Sequence, residues 1–243
     1  MKRPTAPHRI NYHEPDGSGL EDWDPINPDD LLSGTPVQRG YLCDEIEDTG
    51  YIAGVWDCTA QVDHLAPYGV DEFMYLLDGT VIMGMPDGSE VTVNAGEAFV
   101  IPKGLNCQWK QPGYVRKIFM ILDEPNNKPE ATSGANPSLE RVTVPALNGP
   151  KVAEGDVAAM RTDFVNATGT MSVSVSDHAA ATSAARAAPA NEVICVLEGS
   201  LSLEHEGQTH VFAKGESVYL PKGCVTGWQT EAGTRLITSS YVG

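Results

Sequence analysis

The residues best suited to chemistry are two glutamates, Glu72 and Glu192, each of which begins a short run of mostly apolar residues. A carboxyl group in an apolar interior with no cation beside it has a raised pKa, which brings it into the range for general acid–base catalysis. No Lys or Arg is matched to Glu72 in its motif, so Glu72 is the candidate catalytic residue. Arg186 precedes Glu192 and could pair with it, which would make Glu192 a binding residue. The alternative for both glutamates is a scaffold carboxylate satisfied by hydrogen bonds.

Side chains on the same strand faces define a candidate ligand pocket in each half of the chain. Alternate residues of a strand point to the same side, so the pattern groups each glutamate with apolar neighbours, a small thiol or hydroxyl, and an indole. The predicted pocket residues are His64, Glu72, Met74, Cys107, Trp109, Arg186, Glu192, Thr226 and Trp228. Such a lining suits a small, partly polar ligand. The alternative is that both tryptophans fill the interior as core.

These side chains must be positioned by strands, because short runs rich in β-branched and aromatic residues alternate with turn signals such as Pro86-Asp87-Gly88. Many short strands without helical periodicity indicate an all-β barrel or sandwich. The clearest predicted strands are Tyr51–Cys58, Glu72–Leu77, Thr80–Met85, Glu90–Val93, Ala98–Ile101 and Val115–Leu122.

The chain contains an internal repeat. The segment Glu72–Gly79 matches Glu192–Gly199, and Gly96–Gly104 matches Gly215–Gly223, with a tryptophan and then an arginine following at equal distances in both copies. Such agreement indicates a tandem duplication of one β-module. The Ala-rich segment His178–Ala190 is predicted to be a loop or a short helix. The predicted domains are an irregular N-terminal arm (residues 1–36), barrel 1 (37–122), a polar linker (123–140) and barrel 2 (141–243).

Composition and charge limit the classes of partner. The chain has 243 residues, is 41% hydrophobic and carries a formal net charge of −17, which argues against nucleic acid and anionic membranes. The five cysteines include no C-x-x-C pair, and no stretch has the ~18 apolar residues of a membrane span. We therefore expect a cytoplasmic protein with reduced thiols that binds neither nucleic acid nor a membrane. Strand alternation also leaves Phe73, Tyr75 and Val193 on apolar outer faces, from which we expect a homodimer.

The two repeated motifs resemble those of the cupin superfamily, E-x6-G in the first motif and G-x5-P-x-G in the second. The resemblance implies a bicupin, with two jelly-roll β-barrels in one chain. Barrel 1 is most similar to the cupin family that includes (S)-ureidoglycine aminohydrolase, which implies a nitrogen-containing or carboxylated metabolite. The residues that carry this similarity are Gly54–Cys58, Asp71–Phe73, Leu76–Gly79, Phe99–Gly104, Trp109 and Val115–Lys117.

The histidines that hold a metal in metal-binding cupins are replaced in this chain. In those proteins His-x-His precedes the glutamate and another His follows the second motif, a set that suits a divalent transition metal. The corresponding positions in barrel 1 hold Leu65 and Pro67, or Ala66 and Tyr68 for the shorter spacing, and Cys107. We therefore favour no cofactor. If a metal binds, its predicted ligands are His64, Glu72 and Cys107, whose thiolate would favour zinc or iron.

The residues and the resemblance together predict a bicupin that binds a small polar metabolite in barrel 1. Glu72 would supply metal-independent acid–base catalysis of an isomerase, lyase or hydrolase type. Two alternatives stay open: a non-catalytic small-molecule sensor or binding cupin, and a metalloenzyme that uses the His64, Glu72 and Cys107 site.

Overall fold

Strands make up most of the chain, as the spacing of its apolar and turn residues predicts. The computed structural model describes residues 3–10, 19–124 and 157–243. These residues form 22 strands and two 3-10 helices, Pro28–Asp30 and Glu47–Thr49. Within the same ranges, no helix has the length and apolar character needed to cross a membrane. The all-β prediction is confirmed.

Barrel 1 consists of two facing antiparallel sheets. The first strand of the chain, β1 (His8–Arg9), is followed by β2 (Glu21–Asp22), β3 (Leu31–Gly34), β4 (Gln38–Ile46), β5 (Tyr51–Cys58), β6 (Gln61–Asp63), β7 (Ala66–Pro67), β8 (Asp71–Asp78), β9 (Thr80–Gly84), β10 (Glu90–Asn94), β11 (Ala98–Ile101), β12 (Asn106–Gln111) and β13 (Val115–Leu122). One sheet has the order β11-β8-β13-β5-β4-β2, and the other has the order β10-β9-β12-β6-β3 with β7 paired to β12. Apolar side chains from both sheets, such as Met74, Met83 and Phe119, form its core.

Barrel 2 repeats this plan. Its strands are β14 (Val157–Val165), β15 (Met171–His178), β16 (Ala181–Ala187), β17 (Asn191–Glu198), β18 (Ser200–His205), β19 (Gln208–Ala213), β20 (Ser217–Leu220), β21 (Val225–Thr230) and β22 (Thr234–Tyr241). They form a sheet of order β1-β20-β17-β22-β15-β14 and a second sheet of order β16-β21-β18-β19. Ile194, Leu203 and Leu236 contribute to its core.

The N-terminal arm is less irregular than expected, and it is divided between the two compact units of the chain. Its strand β1 pairs with β20, and the adjacent Ile10 is fully buried. Strands β2 and β3 pair with β4 and β6 of barrel 1. Segments of two to four residues gain their strand conformation from a sheet edge and carry too little alternation to be recognised beforehand. Most of the predicted linker, residues 125–140, lies outside the described residues.

The structure also corrects the prediction of a loop or short helix for the Ala-rich segment. Residues 181–187 form β16, which pairs with β21 across an irregular register. Alanine has low intrinsic strand preference, so the partner strand decides the conformation here. As a result, Arg186 is carried on a strand at the wall of barrel 2.

Equivalent glycines terminate the strands that carry the two glutamates. Gly79 follows β8 with φ +83°, and Gly199 follows β17 with φ +71°. A Cβ atom on Gly79 would lie 2.1 Å from the carbonyl oxygen of Tyr114. Both the left-handed backbone and the close approach require glycine, which explains why this motif residue recurs.

Candidate functional site

Glu72 lies in the interior of barrel 1 beside a cation that its motif does not indicate. Its side chain is 2% exposed, and Nζ of Lys117 lies 2.8 Å from its Oε1 atom. Lys117 comes from β13, which pairs with β8 in the same sheet. The expectation of a Glu72 carboxyl without a neighbouring cation is therefore wrong. Since a buried charge is costly without its partner, the two side chains act as one unit.

The other oxygen of the Glu72 carboxylate accepts a hydrogen bond from the Tyr68 hydroxyl. Backbone hydrogen bonds fix the segment that carries Tyr68, from its N to Leu105 O at 2.8 Å and from Gly104 N to its O at 2.7 Å. Burial and the neighbouring carboxylate raise the pKa of Tyr68, so the phenol keeps its proton. Tyr68 stands at a position that metal-binding cupins give to histidine, and it serves here as a donor to the glutamate.

Two indole rings and a thioether enclose the Lys117 ammonium. Its Nζ atom lies 4.6 Å from the Trp56 ring centroid and 4.8 Å from that of Trp109. It also lies 3.3 Å from Sδ of Met74. Both indole N–H groups donate to glutamine side chains instead, which leaves the ring faces to the cation. Lys117 thus contacts Met74 and Trp109, two of the residues that were predicted to line a ligand pocket.

Cys107 and His64 do not join Glu72 in a metal site. His64 is exposed just after β6. Burial raises the pKa of Cys107 to about 12, so the free thiol is neutral at neutral pH and is not an activated nucleophile. In the described ranges, no three His, Cys, Asp or Glu side chains form a group that could hold a metal ion. The residues around Glu72 do not fit the divalent metal that the cupin resemblance implies.

Barrel 2 contains a cavity of about 220 Å³. Three of its four predicted pocket residues, Arg186, Glu192 and Trp228, line this cavity. The fourth, Thr226, is buried and accepts a hydrogen bond from Trp228 Nε1 at 3.1 Å. The remaining lining residues, which the sequence reasoning missed, are Met160, Ser174, Ser176, His178, Ala188, Pro189, Leu220, Leu236, Thr238 and Ser240.

Glu192 is the titratable centre of the cavity. Burial raises its pKa to about 7, although a hydrogen bond from Ser240 at 3.5 Å and the charge of Arg186 oppose the rise. Arg186 is exposed, and no described residue accepts a hydrogen bond from its guanidinium. A second polar pair, Ser176 Oγ and His178 Nε2 at 2.8 Å, lies on the same wall. The cavity therefore combines a carboxyl that exchanges protons near neutral pH with a guanidinium available to a ligand.

Strand register explains why Glu192 lies beside a cavity while the equivalent Glu72 is surrounded by side chains. On β13 Lys117 pairs with Trp56 of β5, and at the equivalent place Leu236 of β22 pairs with Ser176 of β15. Tyr68 precedes Glu72 by the same interval as Ala188 precedes Glu192. Smaller side chains at three equivalent positions thus leave space beside the glutamate of barrel 2. Aligning the late strands of the two repeats would have revealed this difference from sequence.

Both halves of the chain match the same known family. The model of the EutQ-like cupin domain matches twice, at residues 47–119 and 165–235. No curated protein matches the sequence.

Solved structures with the same fold cover nearly the whole chain. A protein of unknown function of the DUF861 family from Pseudomonas syringae pv. tomato is 19% identical, with a TM-score of 0.69 over 97% of this chain and 99% of that one. A cupin 2 conserved barrel domain protein from Leptotrichia buccalis is 14% identical, with a TM-score of 0.59 over 92% and 98%. Protein Ylba from E. coli, also of the DUF861 family, is 11% identical, with a TM-score of 0.54 over 99% and 93%. At these identities the likeness concerns the fold alone, and the predicted similarity to ureidoglycine aminohydrolases stays a prediction.

Proposed function

We propose that this chain, a bicupin that belongs to the EutQ-like cupin domain family and contains that domain twice, binds a small polar metabolite in the cavity of barrel 2 without a metal. The observation that carries this proposal is the cavity itself, in which Glu192 and Arg186 face the same space. Its volume of about 220 Å³ is below the ~300–1,000 Å³ typical of drug-sized ligands. A compact metabolite is therefore the expected ligand.

The lining indicates how such a ligand would be held. The Arg186 guanidinium would bind a carboxylate, or another anionic group, at the mouth. Glu192 would meet a hydroxyl, amide or amine group of the ligand deeper in the cavity. The Trp228 indole provides a flat apolar wall. This agrees with the carboxylated or nitrogen-containing metabolite that the family resemblance implies, but it assigns the metabolite to barrel 2 instead of barrel 1.

In this proposal the catalytic carboxyl is that of Glu192 and not that of Glu72. Glu72 is held by an ion pair with Lys117 and a hydrogen bond from Tyr68, so it has no open side toward a substrate. Glu192 has a pKa of about 7, which suits a general acid or base at neutral pH. If the protein is an enzyme, an isomerisation, elimination or hydrolysis that needs one proton transfer is the reaction type this geometry supports. A sensor would use the same cavity for binding alone.

A thermal-shift screen tests the site. The purified protein is scanned with ureides, amino acids, keto acids and sugar acids, and each ligand that raises the melting temperature is measured again on Glu192→Gln and Arg186→Gln. We expect both variants to lose most of the ligand-induced rise, while the exposed control Glu231→Gln keeps it. A rise that survives in both variants and disappears in Glu72→Gln would return the ligand to barrel 1.

Elemental analysis tests the metal-independent part of the proposal. Protein purified without chelators is expected to contain iron, manganese, nickel and zinc at far below one atom per chain. A stoichiometric transition metal that survives dialysis would overturn this part, because it would require a ligand set other than the one described.

A further inference from the structure

The interior of barrel 1 contains a positive charge that belongs to the chain itself. The Lys117 side chain is 8% exposed, and its ammonium lies against the Glu72 carboxylate at 2.8 Å. The Met74 thioether and two indole faces complete its surroundings. An anionic oxygen with aromatic faces is the set of neighbours that stabilises a desolvated cation.

The side chains around Glu72 accept this cation and not a divalent metal. The Tyr68 hydroxyl donates a hydrogen bond to one oxygen of the Glu72 carboxylate, and Nζ of Lys117 lies 2.8 Å from the other, so both oxygens already have partners. We infer that the Lys117 ammonium takes the place of the metal ion in barrel 1, so that this barrel is an internal site for a primary ammonium group, filled by its own side chain.

Barrel 2 provides the natural comparison. Leu236 is the equivalent of Lys117, and Ser176, which has no aromatic ring, is the equivalent of Trp56. Without a lysine at this position, the equivalent glutamate lies beside an open cavity. The inference concerns barrel 1 alone and does not depend on what barrel 2 binds.

Chemical rescue tests the inference directly. Lys117→Ala removes three methylenes and the ammonium, so n-propylammonium is the missing fragment. We expect Lys117→Ala to melt several degrees below the wild type, and n-propylammonium chloride to restore most of that loss in a saturable way. The same salt should not raise the melting temperature of the wild type. Neither 1-propanol, which matches the fragment in size without its charge, nor sodium chloride at equal concentration should rescue the variant.

The double variant Lys117→Ala/Glu72→Gln identifies the site of rescue. Without the carboxylate, n-propylammonium should act no better than 1-propanol. Rescue of equal size with both additives, or rescue that persists in the double variant, would overturn the inference.

A second set of variants keeps the test decisive if Lys117→Ala does not fold. Lys117→Met fills the same space without charge, and Glu72→Gln removes the anion. Each single change is expected to lower the melting temperature, because it leaves a buried charge without its partner. Lys117→Met/Glu72→Gln should melt at or above the higher of the two single variants. Losses that simply add would show that the two groups are not coupled and would refute the inference.

Discussion

At the scale of single residues, the two scaffold glutamates meet different neighbours although they occupy equivalent strands. Glu72 faces Lys117 and Tyr68. Glu192 faces Arg186 across a cavity and, among the described residues, accepts a side-chain hydrogen bond from Ser240 alone, at 3.5 Å. One carboxylate is therefore held in an ion pair, and the other has a pKa raised to about 7, at which it can gain and lose a proton near neutral pH.

The raised pKa of Glu192 predicts a pH dependence of stability. Burial raises its pKa from 4.5 to about 7, so the folded state binds this proton more tightly than the unfolded state. Its contribution to the free energy of unfolding is complete below pH ~4.5 and is lost as the pH rises through about 7. Glu192→Gln should remove this loss and stabilise the protein at pH 8 relative to the wild type by on the order of 2 kcal/mol. Denaturant unfolding of both proteins between pH 5 and pH 8 measures it.

Asp63 provides the control for this experiment. Burial raises the pKa of Asp63 to about 6, so it contributes a loss of the same sign over a lower pH range. Asp63→Asn should flatten the curve near pH 5 to 6 and leave the fall near pH 7. If Glu192→Gln has the same pH profile as the wild type, Glu192 does not titrate in the cavity.

The structure brings some of the predicted site residues together and separates others. Arg186, Glu192 and Trp228 come together at one cavity, and Glu72 is buried with Met74 on its side, as alternation indicates. Lys117 was missed because it comes from a distant strand whose register no local pattern specifies. His64 was included for its proximity in sequence, yet it lies exposed between β6 and β7.

At the scale of elements, the turns after the motif strands hold the glutamates in place. Gly79→Ala should destabilise the protein by about 2 kcal/mol or more, because it combines a positive φ with a Cβ only 2.1 Å from the Tyr114 carbonyl oxygen. Gly88 is the matched control, since its φ is +84° but no atom lies within 4 Å of the added Cβ. Gly88→Ala should cost only the backbone term of about 1 kcal/mol. Equal decreases in the unfolding midpoints of Gly79→Ala and Gly88→Ala would show that the Tyr114 carbonyl oxygen does not hinder a Cβ at residue 79.

Strands with strong local patterns were predicted almost to the residue. Tyr51–Cys58 and Val115–Leu122 are strands with the predicted bounds, because β-branched and aromatic residues dominate them. β4 was not predicted, since polar residues and Gly40 interrupt its pattern, and β16 was mistaken for a loop or helix. Both gain their conformation from a neighbouring strand, which is information that a single segment does not contain.

At the scale of the whole molecule, duplication followed by divergence has given the two barrels different interiors. The repeat and the cupin fold could be predicted from the two motifs, but the assignment of the ligand to barrel 1 relied on that barrel's stronger likeness to a known family. The homodimer and the cytoplasmic location stay predictions. Phe73, Tyr75 and Val193, which suggested an exposed apolar face, are buried within the chain.

Leu236→Lys should give Glu192 in barrel 2 a neighbouring ammonium group, as Lys117 gives Glu72 in barrel 1. The new ammonium would extend from β22 toward Glu192, fill part of the cavity and lower the pKa of Glu192 below about 7, because an adjacent cation favours the charged carboxylate. Titration of the Glu192 carboxyl carbon by NMR measures the pKa, and the thermal-shift assay measures ligand binding.

Leu236→Met separates the effect of charge from that of shape, since a methionine side chain is similar in length to a lysine side chain but is neutral. We expect Leu236→Lys to abolish ligand binding and lower the pKa of Glu192, and Leu236→Met to leave that pKa near 7. An unchanged pKa of Glu192 in Leu236→Lys would show that the late-strand position does not reach the glutamate. The different interiors of the two barrels would then need a cause other than the exchange of lysine for leucine on the late strand.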